Sequence, residues 1–194
     1  MQGYDNPQYW ENKYRSADHI DEWYYSYQQL KSQIIHYFKQ TDTVLCVGNG
    51  TSTFPLELYN EGKSELVIST DISAIATQQM QIHASDCVKF QVDDALNMNQ
   101  KDQFFDIVFD KGCFDALSTS ENRDDVIKRF VSEIQRVLKQ NGKYIMISHG
   151  KPYTRLGYFG KQWDVQIIQI SERAPSGERA FAYVCSLISN KNNM

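Results

Sequence analysis

Short apolar runs alternate with longer segments of helical periodicity through most of the chain, from Thr43 to Ser148. The strongest helical pattern lies between Arg123 and Lys139, where apolar residues recur every three or four positions. It leads to Asn141-Gly142, a common helix stop. Alternation of this kind is typical of a parallel sheet that is covered on both faces. The pattern predicts strands at 43–47, 65–70, 88–92, 105–109 and 143–148, and helices at 55–59, 72–83 and 123–139.

The alternation stops near the carboxyl end of the sequence. Two strand-like runs at 163–170 and 180–188 have no helix between them, which predicts an antiparallel hairpin at the sheet edge. With the five earlier strands they complete a seven-stranded sheet. Upstream, a helical segment is predicted between Trp23 and Gln40, and eight large aromatic residues fall between positions 4 and 27.

These patterns predict a single α/β domain with a Rossmann-like sheet, helices on both faces and an N-terminal helical extension. A chain of 194 residues is long enough to bury such a core. We expect three parts, which are the extension at 1–42, a central core at 43–149, and a loop with the terminal hairpin at 150–194.

Composition argues against several classes of function. The 24 acidic and 20 basic residues give a net charge of −4, without the basic surface typical of nucleic-acid binding. No apolar run approaches the roughly 18 residues of a membrane helix, and the first residues lack the apolar core of a signal peptide. No CxxC pair occurs, and the histidines lack the spacing of metal ligands. We therefore expect a cytoplasmic monomer that binds no metal, membrane or nucleic acid.

The stretch VLCVGNGTST at 44–53 contains the first candidate for a binding site. Gly48 and Gly50 follow the first strand, and ligands of open parallel sheets bind beyond the carboxyl ends of the strands. A missing Cβ lets a ligand approach the backbone closely, and a hydroxyl among residues 51–53 can cap the next helix, whose first amides then face the ligand. A tight turn between strand and helix would use the same glycines, so the motif alone leaves both interpretations open.

Two acidic positions strengthen the binding interpretation. Asp71 ends the second strand, 21 residues after the second glycine, where a carboxylate accepts hydrogen bonds from both hydroxyls of a ribose. It would also suit the cap of the helix that starts near Ile72. Asp94 follows the third strand, where it can accept from an adenine amino group, and the small Ala95 leaves room for the ring. An Asp93-Asp94 pair is common in surface turns, but the order of these signals favours a nucleoside site.

Two cofactors fit a glycine turn that is followed by a ribose carboxylate. A nicotinamide dinucleotide normally requires a third small residue, completing G-x-G-x-x-G, and this position is Thr53. The Tyr-x-x-x-Lys pair of short-chain dehydrogenases occurs only at Tyr59 and Lys63, in the wrong strand–helix unit. S-adenosylmethionine carries no pyrophosphate and suits a seven-stranded sheet. The sequence therefore favours a methyltransferase.

Motifs from about Asn6 to Ile188 resemble one branch of the class I methyltransferases, whose better-known members methylate lysines of translation elongation factor 1-alpha. The most specific motif is D-x-V-x-(D/E)-K-G-x-x-D-A-L, which runs from Asp106 to Leu117. Two positions depart from the wider class, because Cys46 replaces an acidic residue and Ser52 replaces a third loop glycine. The other matching segments are YWENKY at 9–14, DEWYYSY at 21–27, VLCVGNG at 44–50, STDIS at 69–73 and DDAL at 93–96.

The resemblance implies the sheet order 3-2-1-4-5-7-6 with strand 7 antiparallel. It also implies S-adenosylmethionine as the cofactor and S-adenosylhomocysteine as its product, bound mainly by the core at 43–149. Trp10, Tyr14 and Trp23 would close over the cofactor, because aromatic faces stabilise a sulfonium cation. The other implied cofactor-binding residues are Gly48 and Gly50 in the glycine loop, Asp71 and Ile72 at the ribose, Asp94 and Ala95 at the adenine, and Lys111 after strand 4.

The acceptor implied by the resemblance is a lysine of a protein substrate, such as a translation elongation factor. Asp110, at the end of strand 4, is a candidate to guide the proton of the acceptor away, or else a turn residue. We expect the segments at 118–125 and 148–160 to form the substrate mouth. The D/N-P-P motif of enzymes that methylate amino groups of nucleic-acid bases is absent after strand 4. Two alternatives stay open, a small-molecule O- or N-methyltransferase and a catalytically silent protein of this fold that binds a partner.

Overall fold

Seven strands form one sheet in the computed structural model, which describes residues 3–16, 22–174, 177 and 179–188. The strands are β1 (Thr43–Val47), β2 (Leu66–Asp71), β3 (Val88–Val92), β4 (Phe105–Lys111), β5 (Leu138–Ser148), β6 (Trp163–Gln169) and β7 (Phe181–Leu187). Their order is β3-β2-β1-β4-β5-β7-β6. β7 runs antiparallel to β5 and β6, and the other pairs are parallel. The predicted fold is thereby confirmed.

Helices cover both faces of the sheet. In the described residues they are α1 (Pro7–Arg15), α2 (Tyr27–Ile34), α3 (Phe54–Asn60), α4 (Ala74–Met80), α5 (Cys113–Leu117), α6 (Arg123–Val137) and α7 (Pro152–Arg155). Successive side chains of a strand point to opposite faces. Val44 and Cys46 of β1 accordingly pack in a cluster with residues of α2, α3 and α4, whereas Leu45 and Val47 pack with residues of α5 and α6.

The junction of α6 and β5 differs from the sequence prediction. The helix ends at Val137 and β5 begins at Leu138, so the predicted continuation to Lys139 and stop at Asn141-Gly142 was wrong. Leu138 is buried and pairs with Phe105 of β4. The sheet therefore buries this apolar side chain without a further helical turn. Asn141 adopts a left-handed φ of +63° within β5.

Two helices lie in the described residues of the N-terminal extension, where the sequence predicted one between Trp23 and Gln40. α1 begins after Asn6, whose side chain accepts from the amide of Gln8. α2 begins after Ser26, which forms a reciprocal capping box with Gln29. This cap explains why the helix starts at Tyr27 and not at Trp23. One 3₁₀ turn follows α2.

Two hydrogen bonds hold α1 against α4. Glu11 Oε1 accepts from the amide of Ala74 at 2.6 Å, and Gln79 Nε2 donates to the carbonyl of Tyr14 at 3.0 Å. Since α4 follows directly after β2, these bonds place α1 beside the carboxyl edge of the sheet. The aromatic residues of α1 are thereby brought to the edge where a ligand is expected.

The three predicted parts of the chain stay predictions. Residues 1–2 and 17–21 of the first part, and 175, 176, 178 and 189–194 of the third, lie outside the described residues. In the ranges that are described, no helix combines the length and the apolar character that crossing a bilayer requires.

Candidate functional site

A cavity opens at the carboxyl ends of β1, β2, β3 and β4, under the N-terminal extension. Its volume is about 190 Å³. Nine of the ten residues predicted to bind the cofactor line it, namely Trp10, Tyr14, Trp23, Gly48, Asp71, Ile72, Asp94, Ala95 and Lys111. The structure thus brings together residues that lie up to 101 positions apart in sequence, while their individual roles remain predictions.

The two glycines of the loop after β1 serve different contacts. Both have left-handed φ angles, +58° at Gly48 and +56° at Gly50. Gly48 lines the cavity, and a Cβ there would lie 2.6 Å from Cys113 Sγ. Gly50 does not line the cavity, because the Tyr14 ring covers it and its own Cβ would overlap the Tyr14 hydroxyl. The structure therefore does not support Gly50 as a direct cofactor contact.

Replacement of Gly48 by alanine tests the close packing of this loop against α5. We expect Gly48→Ala to lower the free energy of unfolding by about 2–4 kcal/mol, since a left-handed alanine costs roughly 1–2 kcal/mol and the overlap with Cys113 adds to it. Gly62→Ala is the matched control, because Gly62 also has a left-handed φ of +67° but nothing lies within 4 Å of the position that its methyl group would take. Urea unfolding of both variants checks the difference, and equal losses would contradict the packing argument.

Asp71 lies at the end of β2, with 9% of its surface exposed, and lines the cavity. Its Oδ2 accepts from the amide of Gly50 at 2.8 Å, and its Oδ1 accepts from the amide of Ser73 at 2.9 Å. Burial raises the pKa of this carboxyl, and the two amides act in the opposite direction. Each carboxylate oxygen has a second lone pair, so Asp71 holds the glycine loop and still has the capacity to accept from a ligand.

The Asp93-Asp94 pair after β3 divides into two roles. Asp93 also lines the cavity, but it is buried and accepts from the amide of Asn99 and the side chain of Gln100, so it holds its own loop together. Asp94 is exposed, accepts from the amide of Leu96 at 2.9 Å, and lines the cavity beside Ala95. The position predicted for the adenine is therefore at the cavity wall.

Four aromatic residues from the N-terminal extension form one side of the cavity, and we call them the aromatic wall: Tyr4, Trp10, Tyr14 and Trp23. The Trp10 ring centroid lies 5.3 Å from that of Trp23, 5.9 Å from that of Tyr4 and 6.1 Å from that of Tyr14. Lys13 Nζ lies 4.8 Å from the Trp23 ring centroid, so these faces already accept a cation in the fold. Sequence reasoning missed Tyr4, although the aromatic cluster at the start of the chain pointed to it.

Lys111 lines the cavity, but its charge is paired within the protein. Its side chain is 5% exposed, and Nζ donates to Glu22 Oε2 at 3.0 Å and to the carbonyl of Trp23 at 2.7 Å. Sequence reasoning missed Glu22, which lies in the DEWYYSY segment next to a residue that it did select.

Asp110 does not contact the cavity. It is fully buried, with Oδ1 accepting from the amide of Cys113 and Oδ2 from the amide of Phe114 and the hydroxyl of Tyr144. Burial raises its pKa to about 7. These bonds make Asp110 the residue that joins β4 to α5, in agreement with the alternative of a turn residue, and its role in guiding the proton of the acceptor stays a prediction.

Asp115, in the same signature motif, collects hydrogen bonds from three other segments. Its Oδ2 accepts from the Tyr24 hydroxyl at 3.0 Å and from the amide of His149 at 2.9 Å. Its Oδ1 accepts from the Ser148 hydroxyl and from Arg155 Nη2, the latter at 2.8 Å. Asp115 thus ties α5 to the N-terminal extension, the end of β5 and α7, and the motif gave no indication of this role.

One of the two segments predicted to form the substrate mouth lies next to the cavity. Residues 118–125 and Tyr4 line a second, more open groove, and Tyr4 also lines the first cavity. The groove therefore adjoins the candidate site, and it carries the acidic residues Glu121, Asp124 and Asp125. Within the predicted 148–160 segment, α7 presents Tyr153, which is 80% exposed. His149 packs against the Tyr24 ring at 4.1 Å and does not line either space.

Comparisons with known proteins identify the family. The chain matches the family described as Methyltransferase domain over residues 38–177. The eEF1A lysine and N-terminal methyltransferase of Bos taurus is 30% identical over 173 residues, covering 84% of this chain and 25% of that protein. EEF1A lysine methyltransferase 4 of Bos taurus is 24% identical over 171 residues, covering 82% of this chain and 67% of that protein.

A solved structure supports the same fold. A SAM-dependent methyltransferase of Aquifex aeolicus is similar with a TM-score of 0.66 at 15% identity, covering 94% of this chain and 99% of that one. The chain spans about a quarter of the length of the eEF1A lysine and N-terminal methyltransferases that it matches. One family matches most of the chain, and the cavity has the expected composition. The chain therefore belongs to the S-adenosylmethionine-dependent methyltransferase family, in a branch related to the eEF1A lysine methyltransferases.

Proposed function

We propose that the chain transfers a methyl group from S-adenosylmethionine to a lysine side chain of a protein, and that this protein is a translation elongation factor related to eEF1A. The similarity to relatives named for this substrate carries the proposal, since it extends over more than four fifths of the chain. One relative is named for both lysine and N-terminal methylation, but this chain spans only 25% of it. The relative of which it spans 67% is named for lysine alone, which favours lysine as the acceptor.

The residues of the cavity fit an adenosyl group that carries a cation. In the proposal, Asp71 accepts from the ribose hydroxyls, Asp94 from the adenine amino group, and Gly48 allows close approach of the backbone. The aromatic wall faces the sulfonium, which each aromatic face stabilises by about 0.5–2 kcal/mol. Ile72 and Ala95 supply apolar contacts beside these carboxylates.

The charge of the cavity supports a cationic cofactor and acceptor. Among the described residues, four aspartates line it, Asp5, Asp71, Asp93 and Asp94, against one lysine whose ammonium is paired with Glu22. The adjoining groove at 118–125 adds further acidic side chains. A cleft lined by one sign of charge raises the local concentration of the opposite sign, here a lysine-bearing segment.

When bound, the cofactor supplies a methyl carbon on a sulfonium, so the N–C bond to the acceptor forms as the C–S bond breaks and its electron pair stays on sulfur. The acceptor lysine must first lose its proton, and its ordinary pKa is about 10.4. An apolar surrounding lowers the pKa of an amine because it disfavours the charged form. The main task of the protein is to hold the reacting atoms in line.

Incubation with methyl-labelled S-adenosylmethionine and a purified elongation factor tests the proposal. We expect label on the factor, and mass spectrometry of its peptides should place the added methyl group on a lysine side chain. Label on an N-terminal amine or only on small molecules would contradict the lysine assignment. Binding of the cofactor without any transfer would favour a catalytically silent, partner-binding protein. A sample without elongation factor serves as the control.

A further inference from the structure

Glu22 makes contacts that neither the cofactor roles nor the acceptor roles explain. Its Oε2 accepts from Lys111 Nζ at 3.0 Å and from the Ser52 hydroxyl at 2.8 Å. Its Oε1 accepts from the amide of Thr53 at 2.7 Å and from the hydroxyl of the same residue at 3.1 Å. Glu22 itself does not line the cavity. One carboxylate thus joins the N-terminal extension to β4 and to the loop that follows β1.

Glu22 adds to the cap of α3 that the sequence expected from residues 51–53. Ser52 supplies one capping bond, but Thr53 makes none of its own. Its amide is taken by Glu22, and the next amide, that of Phe54, donates to the Ser52 hydroxyl at 3.3 Å. The start of α3 is therefore bound by the extension, and a carboxylate at a helix N-terminus is favourable.

The pairing with Lys111 is enclosed. The Lys111 side chain is 5% exposed and that of Glu22 is 22% exposed. A buried ammonium requires compensating partners, and Lys111 takes two from adjacent residues, the Glu22 carboxylate and the Trp23 carbonyl. The residue that the family resemblance assigned to the cofactor therefore holds the main chain of the segment that covers the cofactor site.

Trp23 connects the Glu22 and Lys111 contacts to the aromatic wall, because its ring packs against other members of the wall. Its ring lies 5.3 Å from the ring centroid of Trp10 and 5.7 Å from that of Tyr4. All three rings line the cavity. Loss of the Glu22 contacts would free the main chain at Trp23 and, through it, the aromatic faces that are proposed to meet the sulfonium.

We propose that Glu22 is a positioning residue that latches the aromatic wall over the cofactor, acting through Lys111 on one side and Ser52 and Thr53 on the other. This inference rests on the proposed cofactor site and is independent of the identity of the acceptor. Cofactor affinity should therefore depend on a carboxylate that lies outside the cavity.

Titration calorimetry with S-adenosylhomocysteine tests the latch. Glu22→Gln keeps the shape of the side chain and one acceptor for the Thr53 amide, but it removes the charge that pairs with Lys111. We expect the dissociation constant to rise by about tenfold or more, as for loss of a charge-assisted bond. Glu65→Gln is the matched control, since Glu65 is exposed just before β2. This variant should bind S-adenosylhomocysteine as tightly as the unmodified protein does. Thermal unfolding of both variants shows that they are folded.

A coupling measurement separates a latch from general loosening of the fold. If Glu22 acts through Lys111, adding Glu22→Gln to a Lys111→Met variant should raise the dissociation constant by about twofold or less. Ser52→Ala removes the hydroxyl that donates to Glu22 on the side of the glycine loop. We expect this variant to lose about threefold in affinity for S-adenosylhomocysteine, and it supplies the test if Glu22→Gln does not fold. Unchanged affinity of Glu22→Gln, or the same loss in both backgrounds, would overturn the latch. If the unmodified protein itself does not bind S-adenosylhomocysteine, the proposed function fails and the latch fails with it.

Discussion

Replacing Asp71 by alanine is expected to lower the affinity for S-adenosylmethionine by about a hundredfold or more. Hydrogen bonds to a charged group each contribute roughly 1.5–3 kcal/mol, and the proposal gives Asp71 two bonds to the ribose. A loss of about 3–6 kcal/mol corresponds to a factor of about a hundred to about twenty thousand in the dissociation constant. The same change releases the amide of Gly50 at 2.8 Å, so the glycine loop loses its support as well. Calorimetric titration measures the loss.

Two further variants show whether the effect of Asp71→Ala comes from the cofactor or from the fold. Asp71→Asn preserves the size of the side chain but presents a donor to one of the two backbone amides, those of Gly50 and Ser73. We expect its affinity for S-adenosylmethionine to lie between those of the unmodified protein and Asp71→Ala. Asp164→Asn, on the exposed side of the edge strand β6, should leave affinity unchanged. Retained affinity in Asp71→Ala would remove the ribose assignment, whatever the stability of the variant.

The parts of the fold that were predictable are those that local burial dictates. Strands covered on both faces read as continuous apolar runs, so β1 was placed with its observed bounds. The bounds of β3 were also placed as observed, although only Val88 and Phe90 of this strand are buried. Asp71 and Asp94 were selected because a ligand site at the carboxyl edge follows from where the strands end, and both line the cavity. The junction at Leu138 was not predictable in the same way, because a helix and a strand of apolar residues have no boundary signal between them.

Side-chain direction explains why Lys111 lines the cavity and Asp110 does not. Both lie at the end of β4, but successive strand residues point to opposite faces. Lys111 lines the cavity, whereas Asp110 points toward Tyr144 and the start of α5. Sequence position alone gave the two residues equal access to a substrate.

Long-range polar contacts account for most of what sequence reasoning missed. Glu22 meets its partners 30 and 89 positions away, at Ser52 and Lys111, and nothing in its local sequence specifies them. The same holds for Asp115, whose partner Arg155 lies 40 positions away. Burial patterns identify apolar faces, but the pairing of polar groups depends on the assembled fold.

Asp115→Ala is expected to lower the free energy of unfolding by about 3–5 kcal/mol, because it leaves the guanidinium of Arg155 enclosed without its counter-charge. The two side chains are 12% and 13% exposed and lie 2.8 Å apart. The variant also removes the acceptor of Tyr24, a residue held at a left-handed φ of +65° that costs an L-residue roughly 1–2 kcal/mol. Urea unfolding, followed by fluorescence, gives the difference from the unmodified protein.

A surface ion pair and a double variant separate charge burial from other effects of Asp115→Ala. Asp102→Ala also removes a carboxylate bound to an arginine, at 2.6 Å from Arg136, but Asp102 is 72% exposed, so its loss should stay below about 1 kcal/mol. Arg155→Met, combined with Asp115→Ala, removes the enclosed charge and keeps an apolar chain over the Phe114 ring, which the guanidinium now covers at 5.1 Å. We expect the double variant to be about 1–2 kcal/mol more stable than Asp115→Ala alone. If instead the two losses add, Asp115 stabilises the fold through Tyr24, Ser148 and His149, and the ion pair with Arg155 contributes little.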